Sequence, residues 1–274
     1  DRLVHVFADF AGVVPSAPPK DIQYGAGIAD QGASPALGSE AITNGSSKSQ
    51  TGGAPGRGRE PGSVADVLVD QGETGMSMLI VLSAAFLIAG LGNIGAEYEG
   101  TRHNIGFDVV AALVAKHGGS FSSERLSALS EIKFKGRTLT CILPTTYMNL
   151  SGKAVKYWLD RKKIPMDRLL IIADDLALPL SRLRLRPSGS DAGHNGLKSL
   201  FEELQTEQYP RLRYGIGNDF PRGMQVEYVL GRWNPEGQPL VKLKNEKAVQ
   251  VIESFVTAGL ERTMNDYNKM LITL

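Results

Sequence analysis

Three polar residues fall where they could share one reaction. Asn93 lies in the turn Gly90-Leu-Gly-Asn-Ile-Gly95, directly behind the apolar run Phe86-Leu-Ile-Ala89. His103 follows in the polar stretch Thr101-Arg-His-Asn104, and Asp174 opens an acidic pair behind the apolar run Leu169-Leu-Ile-Ile-Ala173. An imidazole held by a carboxylate keeps one tautomer and gains basicity, so it can deprotonate a water. A neutral amide beside it can hold or polarise a carbonyl. The chemistry this suggests is hydrolysis by an activated water, with no covalent intermediate. Asparagines recur in three further loop contexts, His103-Asn104, Tyr147-Met-Asn149 and Gly193-His-Asn195-Gly. Asparagine both donates and accepts, which suits a ligand presenting peptide groups.

Competing motifs fit less well. Gly90-Leu-Gly-Asn-Ile-Gly95 matches G-x-G-x-x-G, but a dinucleotide site needs that turn to run straight into a helix. Here the polar residues 97–104 intervene, and no acidic residue closes a second strand about twenty positions on, as the ribose contact requires. There is no Walker-type phosphate loop, no H-E-x-x-H pair and no G-x-S-x-G elbow. His103, His194, Asp174 and Asp175 have no metal-ligand spacing, and no metal or cofactor is expected. Arg182, Arg184 and Arg186 alternate along one segment, with Arg211 and Arg213 downstream. On a strand the first three would share a face able to contact phosphates.

Strands and helices alternate behind these loops. Residues 86–90 read as a first strand and 106–117 as a helix, with Asn104 as its cap and Gly118-Gly119 as its stop. Residues 131–135 and 138–143 read as a hairpin turned at Gly136. A helix through Ala154, Val155, Trp158 and Leu159 leads to the central strand 169–173. A half-exposed strand at 183–186 precedes a helix carrying Leu197, Leu200, Phe201 and Leu204 on one face. Residues 212–217 and 226–230 read as further strands, and 236–270 as mostly helical. This order predicts a single α/β domain over residues 78–274.

The first 75 residues differ in texture, with 13 of the 31 glycines and 6 of the 14 prolines. Such a segment cannot bury enough apolar surface to offset chain entropy, so 1–77 is expected to be a disordered or artefactual extension. It holds 5 basic and 9 acidic side chains, against 25 and 20 in residues 76–274, so the folded part is the basic one. A polyanionic partner fits that balance. The run 78–89 is too short for a membrane span and leads directly into the glycine turn, as a buried strand would. One cysteine, Cys141, permits no internal disulfide, and a reducing cytoplasmic setting fits.

Together these residues resemble the bacterial-type peptidyl-tRNA hydrolases. The resemblance rests on Gly90-Leu-Gly-Asn-Ile-Gly95 with Tyr98 and Thr101-Arg-His-Asn-Ile-Gly106. It continues in Pro144-Thr-Thr-Tyr-Met-Asn-Leu-Ser-Gly-Lys-Ala154, Asp174-Asp-Leu-Ala-Leu-Pro179, Gly193-His-Asn-Gly-Leu-Lys198 and Arg211-Leu-Arg-Tyr-Gly-Ile-Gly217. It implies a monomer without metal or cofactor, built as three layers with a mixed central sheet flanked by helices. It also implies hydrolysis of the ester joining a peptide, or an N-blocked aminoacyl group, to the tRNA 3′ ribose. His103 would be the catalytic base, Asp174 its orienting carboxylate, and Asn93 the discriminating amide. Tyr98, Tyr147, Asn149 and Asn195 would contact substrate, with Met148 and His194 lining the same cleft. Arg184, Arg186 and Arg213 would lie near the tRNA acceptor arm. A silent RNA-binding relative, as in organellar splicing factors, is the alternative within the same fold. The sequence departs from the family at Ile94, where proline is usual, at Asp175, where glutamate is common, and at Ala177, where a second acid is frequent.

Overall fold

The computed structural model describes residues 84–274. The extension expected over 1–77 and the apolar lead-in at 78–83 lie outside the described residues.

A seven-stranded mixed sheet forms the middle layer. Its strands are β1 (Ala85–Gly90), β2 (Ser122–Glu124), β3 (Ser127–Phe134), β4 (Arg137–Pro144), β5 (Leu169–Asp175), β6 (Leu183–Arg186) and β7 (Arg211–Gly215). They lie in the order β2-β3-β4-β1-β5-β7-β6. Strands β4, β1, β5 and β7 run parallel, while β2, β3 and β6 are antiparallel to their neighbours. The parallel strands are buried on both faces, which explains why β1 and β5 read as unbroken apolar runs. Phe86, Ile88, Leu170 and Ile172 enter one core, and Leu87, Ala89, Leu169 and Ile171 the other. The β3–β4 hairpin turns on Lys135 and Gly136, whose φ values of 46° and 76° are those of a two-residue primed turn.

Helices cover both faces. α1 (Ile105–Lys116) packs on one side through Val109, Val110, Leu113 and Val114. α2 (Ser151–Lys162) and α3 (Asn195–Leu204) cover the other through Val155, Trp158, Leu159, Leu197 and Leu200. α4 (Gln225–Leu230) is one short turn-and-a-half, α5 (Gln238–Ala258) joins α1 over the first core, and α6 (Leu260–Tyr267) follows. The three-layer α/β architecture expected from the sequence is what the chain adopts. No helix among the described residues is long and apolar enough to cross a membrane.

One sequence expectation is corrected here. Residues 226–230 are helical, not a strand. Val-Glu-Tyr-Val alternates like a strand, but β7 already has β5 and β6 on its two edges, so the segment has no free ladder to join. The stretch 236–270 is mostly helical as expected, in two helices that meet at Gly259, whose φ of 84° no helix interior accommodates. The three-residue β2, too short to carry a pattern, was not anticipated.

The outer edge of β6 is closed by side chain and tail. Asn268 accepts from Leu185 N–H at 2.7 Å and donates to the Leu185 carbonyl at 3.0 Å. Ile272 N–H donates to the Ser181 carbonyl at 3.0 Å.

The glycines around β1 permit one close approach that matters. A Cβ on Gly90 would sit 2.2 Å from the Gly106 carbonyl, and one on Gly106 would meet Leu91 backbone and the Ile172 carbonyl at 2.5–2.6 Å. Helix α1 therefore starts backbone to backbone on the sheet, which brings the loop 91–104 directly over the ends of β1 and β5.

Candidate active site

Strand β1 leads into α1 on one face of the sheet, and the connection from β5 to β7 carries α3 on the other. The crevice at their carboxyl ends is where ligands bind in open α/β sheets. Asn93 lies just past the end of β1, Asp174 is the penultimate residue of β5, and Met148 opens a 3-10 turn after β4. His103 lies in a 3-10 turn, Arg102–Asn104, between β1 and α1.

The centre of the site is one carboxylate oxygen. His103 Nδ1 and His194 Nε2 both meet Asp174 Oδ1, at 2.9 and 3.0 Å. All three residues are buried. His194 precedes α3, and its Nδ1 accepts the N–H groups of Gly196 and Leu197 at 3.1 and 3.3 Å. That acceptor role puts the ring proton on Nε2, aimed at Asp174. His103 likewise gives its Nδ1 proton to the carboxylate, so the basic lone pair of its ring is on Nε2. Burial alone would raise the Asp174 carboxyl, but the electrostatic pull and hydrogen bonds of the His103 and His194 rings outweigh it and hold it well below the usual carboxylate range.

His103, Asp174 and His194 also lie within the spacing of a metal cluster, their donor atoms within 4.8 Å of one another. The helix cap argues against that use. Ligation through His194 Nε2 would move its proton to Nδ1, against two backbone N–H donors.

Asn93 is fixed from three directions. Asn104 Oδ1 accepts its N–H at 2.8 Å, and Asn104 Nδ2 donates to its carbonyl at 2.9 Å. Met148 N–H then donates to Asn93 Oδ1 at 2.8 Å, which settles the amide so that Nδ2 is the end left to donate. Asn104 was expected to cap α1, but it makes no side-chain cap and serves Asn93 instead.

The remaining expected residues fall into two groups. Met148 and His194 touch the same small space, since a Cβ on Gly196 would meet Met148 Sδ at 2.7 Å and His194 Cε1 at 3.0 Å. Tyr98 and Tyr147 are half-buried and close enough to influence each other; burial, then Glu97 and Tyr147, push the Tyr98 phenol up. Asn149 is exposed, and Asn195 is the first residue of α3. Arg213 pairs through Nε with Asp175 Oδ2, and Arg184 is its cross-strand neighbour. Arg186 is exposed and sits opposite Arg211. Arg211 is no surface cation: it is buried, stacks on Tyr209 at 4.3 Å and donates to the Ser190 and Glu207 carbonyls. Arg182 turns away to the Lys269 and Met270 carbonyls, so the expected row of three arginines is a pair. Cys141 is buried in β4, where burial pushes its thiol up and away from nucleophile chemistry.

The fold is a three-layer α/β sheet protein that gathers a buried histidine–carboxylate pair and an oriented amide at the carboxyl ends of β1 and β5. The family described as peptidyl-tRNA hydrolase matches residues 87–273. The chain belongs to that family. It is 55% identical to the peptidyl-tRNA hydrolase of Parabacteroides distasonis over 183 residues, 67% of this chain and 98% of that protein. It is 50% identical to the corresponding Porphyromonas gingivalis protein, over 67% and 99%. The crystal structure of peptidyl-tRNA hydrolase from Acinetobacter baumannii matches with a TM-score of 0.66 at 30% identity, over 70% of this chain and 98% of that one.

Proposed function

We propose that residues 78–274 form the catalytic unit of a peptidyl-tRNA hydrolase, which cleaves the ester between a peptide and the tRNA 3′ ribose. The observation that carries the mechanism is the His103 Nδ1–Asp174 Oδ1 contact of 2.9 Å. Asp174 fixes the tautomer and stabilises the imidazolium that forms when His103 takes a proton from water. The hydroxide so generated attacks the ester carbonyl carbon. Asn93 Nδ2 donates to the carbonyl oxygen as it gains negative charge. The ribose oxygen then leaves with the electrons of the broken C–O bond and takes the proton back from His103.

Tyr98, Tyr147, Met148, Asn149 and Asn195 would border the peptide and 3′ end. Arg184, Arg186 and Arg213 would meet acceptor-arm phosphates, with Asp175 aligning Arg213. A monomer acting in the cytoplasm completes the reading. No observation favours the silent RNA-binding alternative. The deciding measurement is release of the acyl group from N-acetyl-aminoacyl-tRNA, with His103→Ala in parallel. Turnover that disappears in the variant while tRNA binding persists supports the reading; no turnover by the unaltered protein at any neutral pH overturns it.

A further inference from the structure

The residues beside the two central groups, Arg102 and Asp175, are joined by a second path that the reaction itself does not require. The Arg102 guanidinium donates through Nη1 to the Tyr228 carbonyl at 3.2 Å and the Arg232 carbonyl at 3.1 Å. Its Cζ lies 4.3 Å from the Tyr228 ring centre and 5.0 Å from that of Trp233. Its own N–H donates to the Gly231 carbonyl at 3.0 Å, and Thr101 bridges Arg232. Side chain and main chain thus grip one segment, the end of α4 and the residues after it. Tyr228 continues the path: its hydroxyl donates to the Ile216 carbonyl at 2.7 Å, and Ile216 N–H donates to the Asp175 carbonyl at 3.0 Å.

We propose that Arg102 and Tyr228 are positioning residues that hold the His103 turn in register with the Asp174 strand. The 3-10 turn has only three residues, and each sends its side chain to a different element. Asn104 ties it to the exit of β1, His103 to β5, and Arg102 through Tyr228 to the backbone of Asp175. With both flanks pinned, the imidazole has little freedom to rotate or slide along the carboxylate. A planar guanidinium suits this task better than an ammonium, because it serves two carbonyls while stacking on two rings. The role rests on His103 being the base proposed above.

The test uses Arg102→Lys, which keeps the charge but loses the planar fork, and Tyr228→Phe, which keeps the ring but cuts the link to Ile216. Each variant is compared with the unaltered full chain in two ways. Kinetics on N-acetyl-aminoacyl-tRNA, well below the Tm of every variant, should show kcat reduced by about tenfold or more with KM little changed, since small misplacement of a reacting group costs rate rather than binding. The double variant should be no slower than the worse single one, because both changes cut one path. The downfield proton resonance of the His103–Asp174 hydrogen bond should broaden or shift in each. Unchanged kcat together with an unchanged resonance overturns the proposal, as does a loss confined to KM or to Tm. If the unaltered protein has no turnover, the hydrolase reading fails by itself; the resonance still decides the positioning role.

Discussion

His103 and His194 donate to the same oxygen of Asp174, their ring centres 4.8 Å apart and their planes tilted by 45°. One carboxylate therefore serves two imidazoles with different duties. His103 meets it through Nδ1, while His194 is committed on its far side to the first turn of α3.

Asp174→Asn keeps an acceptor for both rings but removes the charge. A drop in kcat of about 10²- to 10⁴-fold is expected, the range for losing the partner of a general base. Steady-state kinetics on N-acetyl-aminoacyl-tRNA would check this; an unchanged kcat contradicts the assignment.

Asn93→Asp is nearly isosteric and still accepts the Met148 N–H. Its other oxygen, however, replaces the donating Nδ2. Turnover should fall about 10²- to 10³-fold, the cost of losing one transition-state donor, with melting little affected. Full activity in this variant would remove Asn93 from the reaction.

His194 can be tested through the helix it caps. His194→Ala leaves the Gly196 and Leu197 N–H groups without their acceptor and should cost about 0.5–2 kcal/mol of stability. His194→Asn, a good cap, should recover most of that loss. Denaturant unfolding of the three proteins separates capping from the contact with Asp174.

Lys244 is fully buried, with Nζ donating to the Gly215 carbonyl and lying 3.7 Å from the Tyr214 ring centre. Burial nevertheless pushes its ammonium down to about 6. Below that pH the folded protein carries the full penalty of a buried charge. Between about 6 and the ordinary lysine value the unfolded chain binds the extra proton, so stability rises with pH. Lys244→Met should raise Tm most at or below pH 6, by about 2–4 °C per kcal/mol relieved, and the gain should shrink as pH rises. Asp108 works in the opposite sense. Burial, then Glu99, push its carboxyl up to about 7, so it contributes stability at low pH that is lost as pH rises to 7. Asp108→Asn should flatten that fall. Melting curves from pH 4 to pH 9 read both effects.

Arg184→Glu should raise KM and flatten its dependence on salt, because one phosphate contact fewer releases fewer counterions. An unchanged salt slope would place the acceptor arm elsewhere.

How much of this was legible in the sequence depended on the range of each interaction. Strands β1 and β5 announced themselves because burial on both faces leaves an unbroken apolar run, and the polar residues behind them marked the site. The two roles of His194 were half visible, since a polar residue before an amphipathic helix signals a cap but not what its other nitrogen meets. Arg102 gave no signal as a positioning residue, because its first carbonyl partner lies 126 residues away. Residues 226–230 misled for a tertiary reason: their alternation suits a strand, and only the occupied edges of β7 rule that out.

The covered β6 edge of the sheet also limits how this protein can meet a partner. At one end β2 is a short, exposed strand of two serines and a glutamate; at the other, Asn268 and Ile272 take up outward-facing backbone groups of Leu185 and Ser181. Recognition by β-augmentation, in which a foreign strand extends the ladder, finds no template at the Asn268-covered edge. Loss of the Asn268 amide would uncover the Leu185 backbone and give neighbouring copies a place to add on. The segment from Asn268 to Ile272 thus covers backbone at the margin farthest in strand order from the β2 edge.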